Sequence, residues 1–152
     1  MNAASVNTFI GEEVERQGFT PGTESFDKRY HWMWGAWRYA VDASVVKTQP
    51  DVRDVVYLGS LVEPGKNYKG IRTVGVQVGG RICPQAAHLP GLMSGWVKAL
   101  SHLTPDEAYL EFEKIHPFVD GNGRVGKVIH NWLNKTLDEP VLVQDFFGHG
   151  IP

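Results

Sequence analysis

Apolar residues recur at helical spacing through most of this chain. From about Ser25 to Val46 the stripe is Tyr30, Met33, Trp34, Trp37, Val41 and Val45, three and four positions apart, which is one face of a helix. Thr48-Gln49-Pro50-Asp51 reads as the next helix start, because proline is tolerated in a first turn. Val52, Val55, Val56, Gly59 and Val62 then share a face. Their β-branched character would suit a strand, but the spacing favours a helix, which Pro64-Gly65-Lys66-Asn67 ends. Leu92, Met93, Trp96, Val97, Leu100 and Leu103 form another helical stripe. Thr104-Pro105-Asp106-Glu107 opens the helix after it: a Thr cap, a Pro at the first position and a Glu at the third make a capping box. That helix buries Ala108, Phe112 and Ile115 and delivers His116 at its end. A last stripe of Val125, Val128, Ile129, Trp132 and Leu133 predicts a helix from Val125 to about Lys135.

One segment has a different rhythm. Thr73-Val74-Gly75-Val76-Gln77-Val78 is a short β-branched run, followed by Gly79-Gly80 and then Arg81-Ile82-Cys83-Pro84. Two strands around a Gly-Gly turn predict a hairpin. Nothing else in the sequence resembles a strand pair, so the pattern gives a mainly α fold with one hairpin attached. The first two dozen residues are mixed, with Gly18 and Pro21-Gly22 breaking the chain before the first helix. The C-terminal tail, with Phe146 and Phe147, predicts no element.

Composition narrows the picture. A chain of 152 residues, 42% hydrophobic and 11% aromatic, is one domain able to bury a core without covalent staples. The formal net charge of −2 and pI near 6.3 give no support to a nucleic-acid partner. A single cysteine, Cys83, excludes an intramolecular disulfide and suits a reducing compartment. No signal-peptide layout and no apolar run of membrane-spanning length is present. The expectation is a cytoplasmic protein without membrane partners, compatible with export by a system that reads no such signal. His88, His102, His116 and His130 are evenly spaced, but their flanks share no pattern and no pair has zinc-ligand spacing.

The chemistry is concentrated in one run. His116-Pro117-Phe118-Val119-Asp120-Gly121-Asn122-Gly123-Arg124 places a base, a carboxylate, a glycine-rich turn and a guanidinium within nine residues, directly before a helix. Gly121 and Gly123 leave room for a phosphate, so that successive N–H groups can point into one concavity. At a helix start those donors also carry the positive end of the dipole. Asp120 offers oxygen to a divalent cation such as the magnesium bound with a nucleotide. Arg124 can grip phosphate oxygens in a fork. A histidine side chain ordinarily titrates near neutrality, so His116 suits a proton acceptor for a hydroxyl nucleophile. A plain helix–loop–helix corner accounts for each of these residues singly, but poorly for all of them together.

This run resembles the signature of the Fic family, His-Pro-Phe-x-Asp/Glu-Gly-Asn-Gly-Arg-x-x-Arg. It matches every defined position except the last, where Lys127 replaces arginine. The resemblance is clearest over residues 68–137. Tyr68-Lys69-Gly70-Ile71-Arg72-Thr73-Val74 looks like the element ahead of the family's β-hairpin flap, and Leu89-Pro90-Gly91-Leu92-Met93 falls where the family begins its next helix. Residues 1–24 and 138–152 lie at its periphery. The resemblance implies a Fic-type helical bundle with the flap beside the active-site loop. It implies transfer of AMP from Mg-ATP to a Ser, Thr or Tyr hydroxyl of a target protein. His116 would be the general base and Asp120 the magnesium ligand. Gly121, Asn122 and Gly123 would form the anion hole, and Arg124 would lie on the β- and γ-phosphate side. Phe118 would point into the core and fix the loop. Thr73, Val74, Gly75, Val76, Gln77 and Val78 would align the target by strand addition.

Lys127 keeps the charge of the family's second arginine and loses its planar fork. One turn beyond Arg124, it can face the same anion. The substitution leaves phosphate, UMP or phosphocholine transfer as alternatives, with a non-catalytic nucleotide- or protein-binding module as a second class. Autoinhibited members carry Ser/Thr-x-x-x-Glu-Gly/Asn on an inhibitory helix. Thr8-Phe9-Ile10-Gly11-Glu12-Glu13 matches the first part and fails at the last position. The resemblance therefore implies a minimal core, unregulated or held by a small antitoxin-like partner as in toxin–antitoxin pairs. Arg72 can tie the hairpin to the body as readily as it can touch a substrate.

Overall fold

The computed structural model describes residues 1–143; the tail carrying Phe146 and Phe147 lies outside the described residues. Among the described residues seven α-helices and one hairpin follow in order: α1 (Ala3–Arg16), α2 (Glu24–Ser44), α3 (Val52–Val62), α4 (Pro64–Asn67), β1 (Gln77–Val78), β2 (Arg81–Ile82), α5 (Leu89–Ala99), α6 (Pro105–Ile115) and α7 (Asn122–Leu133). The mainly helical expectation with one small antiparallel sheet holds.

Helix α7 sits at the centre, packed against α2, α3 and α6. Its apolar stripe of Val125, Val128, Ile129 and Trp132 is buried as the spacing predicts, but so is every other residue from Asn122 to Trp132. A helix with a polar face normally turns that face to water. Here neighbouring elements satisfy it instead. Asn122 closes on the Phe118 backbone, Arg124 meets Glu63, Lys127 meets Glu13 and His130 meets Asp106. Asn131 donates to the carbonyls of Lys127 and Val141. Burying these side chains is tolerable because each has at least one partner.

Helix α1 is the element the hydrophobic pattern misses. Asn2 caps it through the Ser5 N–H, and Val6, Phe9, Ile10 and Val14 enter the core. The stripe is obscured because its next inward position is Glu13, a charged residue with no exposure. Helix α2 ends at Ser44, short of the predicted Val46, and Val45 is 82% exposed. In α3 the cap is Asp51, in a reciprocal capping box with Asp54, so Pro50 precedes the cap instead of occupying the first turn. Pro64 to Asn67 do end α3, and themselves make the single turn α4. The capping box at Thr104 and Glu107 forms as expected.

The hairpin is shorter than the β-branched run. Only Gln77–Val78 pairs with Arg81–Ile82, and Thr73 to Gly75 stay outside the ladder. Gly79 and Gly80 both have positive φ, 55° and 82°, as a two-residue hairpin turn of this hand requires. Two arginines fasten the hairpin to the body. Buried Arg72 donates to the carbonyls of His116, Val74 and Pro84, each at 2.8 Å. Arg81 donates to the carbonyls of Glu113 and Lys114, at 3.2 and 3.3 Å, at the end of α6.

Candidate active site

The site is the corner where α6 ends and α7 begins. His116 caps α6 in the left-handed region, φ 51° and ψ 62°, with its N–H on the Phe112 carbonyl at 2.9 Å. A non-glycine residue held there is uncommon. Arg72, on the His116 carbonyl, helps to fix it. Pro117 follows, and its carbonyl accepts the Arg72 backbone N–H at 2.9 Å, so the root of the flap is tied to the loop.

Phe118 then turns fully inward, as the resemblance implies. Its backbone N–H and C=O both bond the Asn122 side-chain amide, at 2.9 Å each. The Asn122 side chain is thus a clasp for the loop, and its residue opens α7. Gly121 takes φ 81°, and no side chain caps α7. The first N–H groups of that helix therefore lack helical partners, which is the condition for anion binding at a helix start.

The His116 imidazole is held below its ordinary value by burial, then by the positive charges of Arg81 and Arg72, which outweigh the backbone contact at Glu113 and the Asp120 carboxylate. Its Nδ1 is buried without a partner among the described residues. A neutral imidazole is the form that accepts a proton.

Asp120 is half-exposed. One carboxylate oxygen accepts the Gly121 N–H at 2.8 Å, the other the Lys66 ammonium at 2.7 Å. Burial would raise its pKa, but Lys66, that N–H and Arg124 together bring it below the usual carboxylate value. It is therefore a charged, accessible oxygen donor. No group of three or more His, Cys, Asp or Glu able to cage a metal occurs among the described residues. One carboxylate beside an anion site fits magnesium carried in with a nucleotide, since that ion keeps waters and phosphate oxygens as its other ligands.

The cations are placed less simply than their spacing suggests. Arg124 is 2% exposed. Its guanidinium lies 2.8 Å from Glu63 Oε2 and 3.6 Å from Asp120 Oδ1, and its Nε is buried without a partner among the described residues. Glu63 also takes Arg29 at 2.8 Å, and the Phe19 ring stacks near both guanidinium groups. Lys127 is 1% exposed, with Nζ 3.0 Å from Glu13 Oε2, and Arg16 pairs with the same carboxylate. Arg124 and Lys127 thus do not face one shared anion. Each is matched by its own carboxylate on a different helix or loop. Glu13 makes this contact, while Glu12, the glutamate singled out by the inhibitory-helix spacing, is exposed. Sequence reasoning missed Glu13, Glu63, Arg29 and Lys66, for which no short-range signal exists.

The model of the Fic/DOC family matches residues 51–133, a span holding α3, the flap and the whole corner. The chain belongs to the Fic/DOC family. Fic proteins are typically transferases. Among solved structures it is similar to a Fic family protein from Desulfovibrio desulfuricans G20, with a TM-score of 0.66 and 19% identity, over 87% of this chain and 48% of that one. It is also similar to Fic-1 from C. elegans, with a TM-score of 0.61 and 19% identity, over 88% of this chain and 44% of that one. The chain thus spans about half the length of each of these Fic structures. No curated protein matches it. None of the described helices is long and apolar enough to cross a membrane.

Proposed function

We propose that this Fic domain transfers AMP from Mg-ATP to a Ser, Thr or Tyr hydroxyl of a target protein. The observation that carries the reading is a half-buried His116, fixed in the left-handed region at the corner that leads into the uncapped start of α7. The target oxygen attacks the α-phosphorus, the bond from that phosphorus to the bridging oxygen breaks, and pyrophosphate leaves. His116 takes the hydroxyl proton. The N–H groups of Gly121, Asn122 and Gly123 hold the phosphates, where fixed donors act at no cost of reorganisation. Asp120 would hold the magnesium of Mg-ATP, which would supply charge neutralisation on the phosphate oxygens. Arg124 supports this surface from behind, and its fork reaches the β- and γ-phosphates only if Glu63 yields. Lys127 is further withdrawn, in its pair with Glu13. The flap, tied to His116 through Arg72, presents the target segment to the base.

The test is intact-protein and peptide mass spectrometry after incubation with a cell lysate and each Mg-nucleotide in turn, on wild type and His116→Ala. The expected result is an AMP-mass adduct with wild type only. Loss of the adduct in His116→Ala with nucleotide affinity retained separates a base from a binding residue. An adduct that persists in His116→Ala removes the base assignment. A phosphate-mass adduct makes the enzyme a phosphotransferase, and binding without any adduct makes it a binding module.

A further inference from the structure

Lys66 takes no part in the chemistry above, yet its ammonium lies 2.7 Å from Asp120 Oδ2. Its position is built. Pro64 starts α4, and buried Asn67 anchors that turn by donating to the Gly59 carbonyl at 3.0 Å and the Asp120 carbonyl at 2.8 Å. The backbone carrying Lys66 is therefore fixed against the loop that carries Asp120.

Exposure separates Lys66 from the motif cations. The Lys66 side chain is 49% and that of Asp120 36% exposed, whereas the side chains of Arg124 and Lys127 are each 2% exposed in their pairs with Glu63 and Glu13. A solvent-exposed pair is weak and exchanges partners readily. A buried one is costly to open. Arg81 is also exposed, but it is engaged on the carbonyls at the end of α6. The cation that a polyphosphate at the α7 start can recruit without opening a buried pair is Lys66.

We propose that Lys66 is a phosphate-binding residue of this site: its ammonium neutralises Asp120 before ligand arrives, and turns to the terminal phosphates as Asp120 is given over to magnesium. The inference rests on the reading of the corner as a Mg-nucleotide site. It also assigns Lys66 the outer-phosphate contact that Lys127, buried with Glu13, leaves unfilled.

Inorganic triphosphate is the probe, titrated calorimetrically at fixed ionic strength with and without magnesium. Wild type, Lys66→Ala and Lys66→Arg are compared. Lys66→Ala loses about tenfold in affinity without metal, because an unpaired Asp120 carboxylate then faces the polyanion. With magnesium bridging that carboxylate to the phosphates the loss falls to roughly threefold. Lys66→Arg restores most of the affinity. Equal losses in the two conditions, affinity within twofold of wild type in both, or no triphosphate binding by wild type would each overturn the proposal. Binding as expected with no adduct in the lysate assay keeps Lys66 and removes the transferase reading. An adduct with binding indifferent to Lys66 does the reverse. Lys66 is exposed, so matching thermal melts of the variants will exclude misfolding as the cause.

Discussion

Gly59→Ala tests whether the inside of α3 holds the loop from His116 to Gly121 in place. A Cβ built on Gly59 would stand 2.3, 2.4 and 2.8 Å from three atoms of the Phe118 ring. Carbon atoms prefer about 3.5–4.0 Å, so the ring must retreat by about 1 Å. It has little freedom to do so. Phe118 is fully buried, and its N–H and C=O are both bonded to Asn122. Displacing the ring therefore displaces the loop between His116 and α7. Overpacking of this kind costs roughly 1–3 kcal/mol, and the better helix propensity of alanine returns up to about 1 kcal/mol. The expected net loss is about 1–2 kcal/mol in urea denaturation at unchanged slope. The effect on transfer should be larger than stability alone implies, on the order of a hundredfold for a 1 Å misplacement of reacting groups. Phe118→Leu removes Cε1 and Cζ, the two ring atoms nearest the new methyl, so the double variant should recover part of the lost stability, with a coupling of about 1 kcal/mol. If Gly59→Ala were as stable and as active as wild type, the claim that this contact positions the loop would be wrong.

Two further outcomes follow from the site's electrostatics. Positive charge at Arg81 helps to hold His116 below its ordinary value, which keeps the imidazole neutral as pH falls. Arg81→Ala should therefore raise the His116 pKa and move the acid limb of kcat/KM to higher pH; a limb that stays put while the plateau drops would leave Arg81 only its tether to α6. Glu63 lies buried between Arg29 and Arg124, so Glu63→Gln leaves two guanidinium groups short of a counter-charge. It should lose about 3 kcal/mol or more of stability by chemical denaturation, and a change under about 0.5 kcal/mol would show the trio to be loosely held.

The helices α2, α3, α5 and α6 were legible because their signals are local: stripes at helical spacing and caps at Asp51 and Thr104. The loop was legible for the same reason, since His116, Asp120, the two glycines and Arg124 are neighbours in the chain and their order carries the chemistry. Helix α1 was not, because a buried charge interrupts its stripe and finds its partner 114 residues away, at Lys127. Nor could the hairpin's length be read, since Gly75 and the Arg72 contact with the Val74 carbonyl keep part of the β-branched run out of the ladder.

The same distinction governs what a motif can say about its own cations. Spacing fixes that Arg124 and Lys127 leave one helix a turn apart, and a free helix would let both reach one anion. Whether they do depends on what the rest of the chain brings to that helix. Here α7 is buried from Asn122 to Trp132, so each cation had to be matched within the protein or left unpaired at high cost. Glu63, from the end of α3, and Glu13, from α1, supply those charges. A central position for α7 thus stabilises the corner and at the same time withdraws its two motif cations from solvent. What remains exposed at the corner is the half-exposed Asp120 and the lysine that α4 sets beside it. Removing Lys66 should therefore change polyphosphate affinity in a metal-dependent way, whereas removing the carboxylate of Glu63 should first be felt in the stability of the fold.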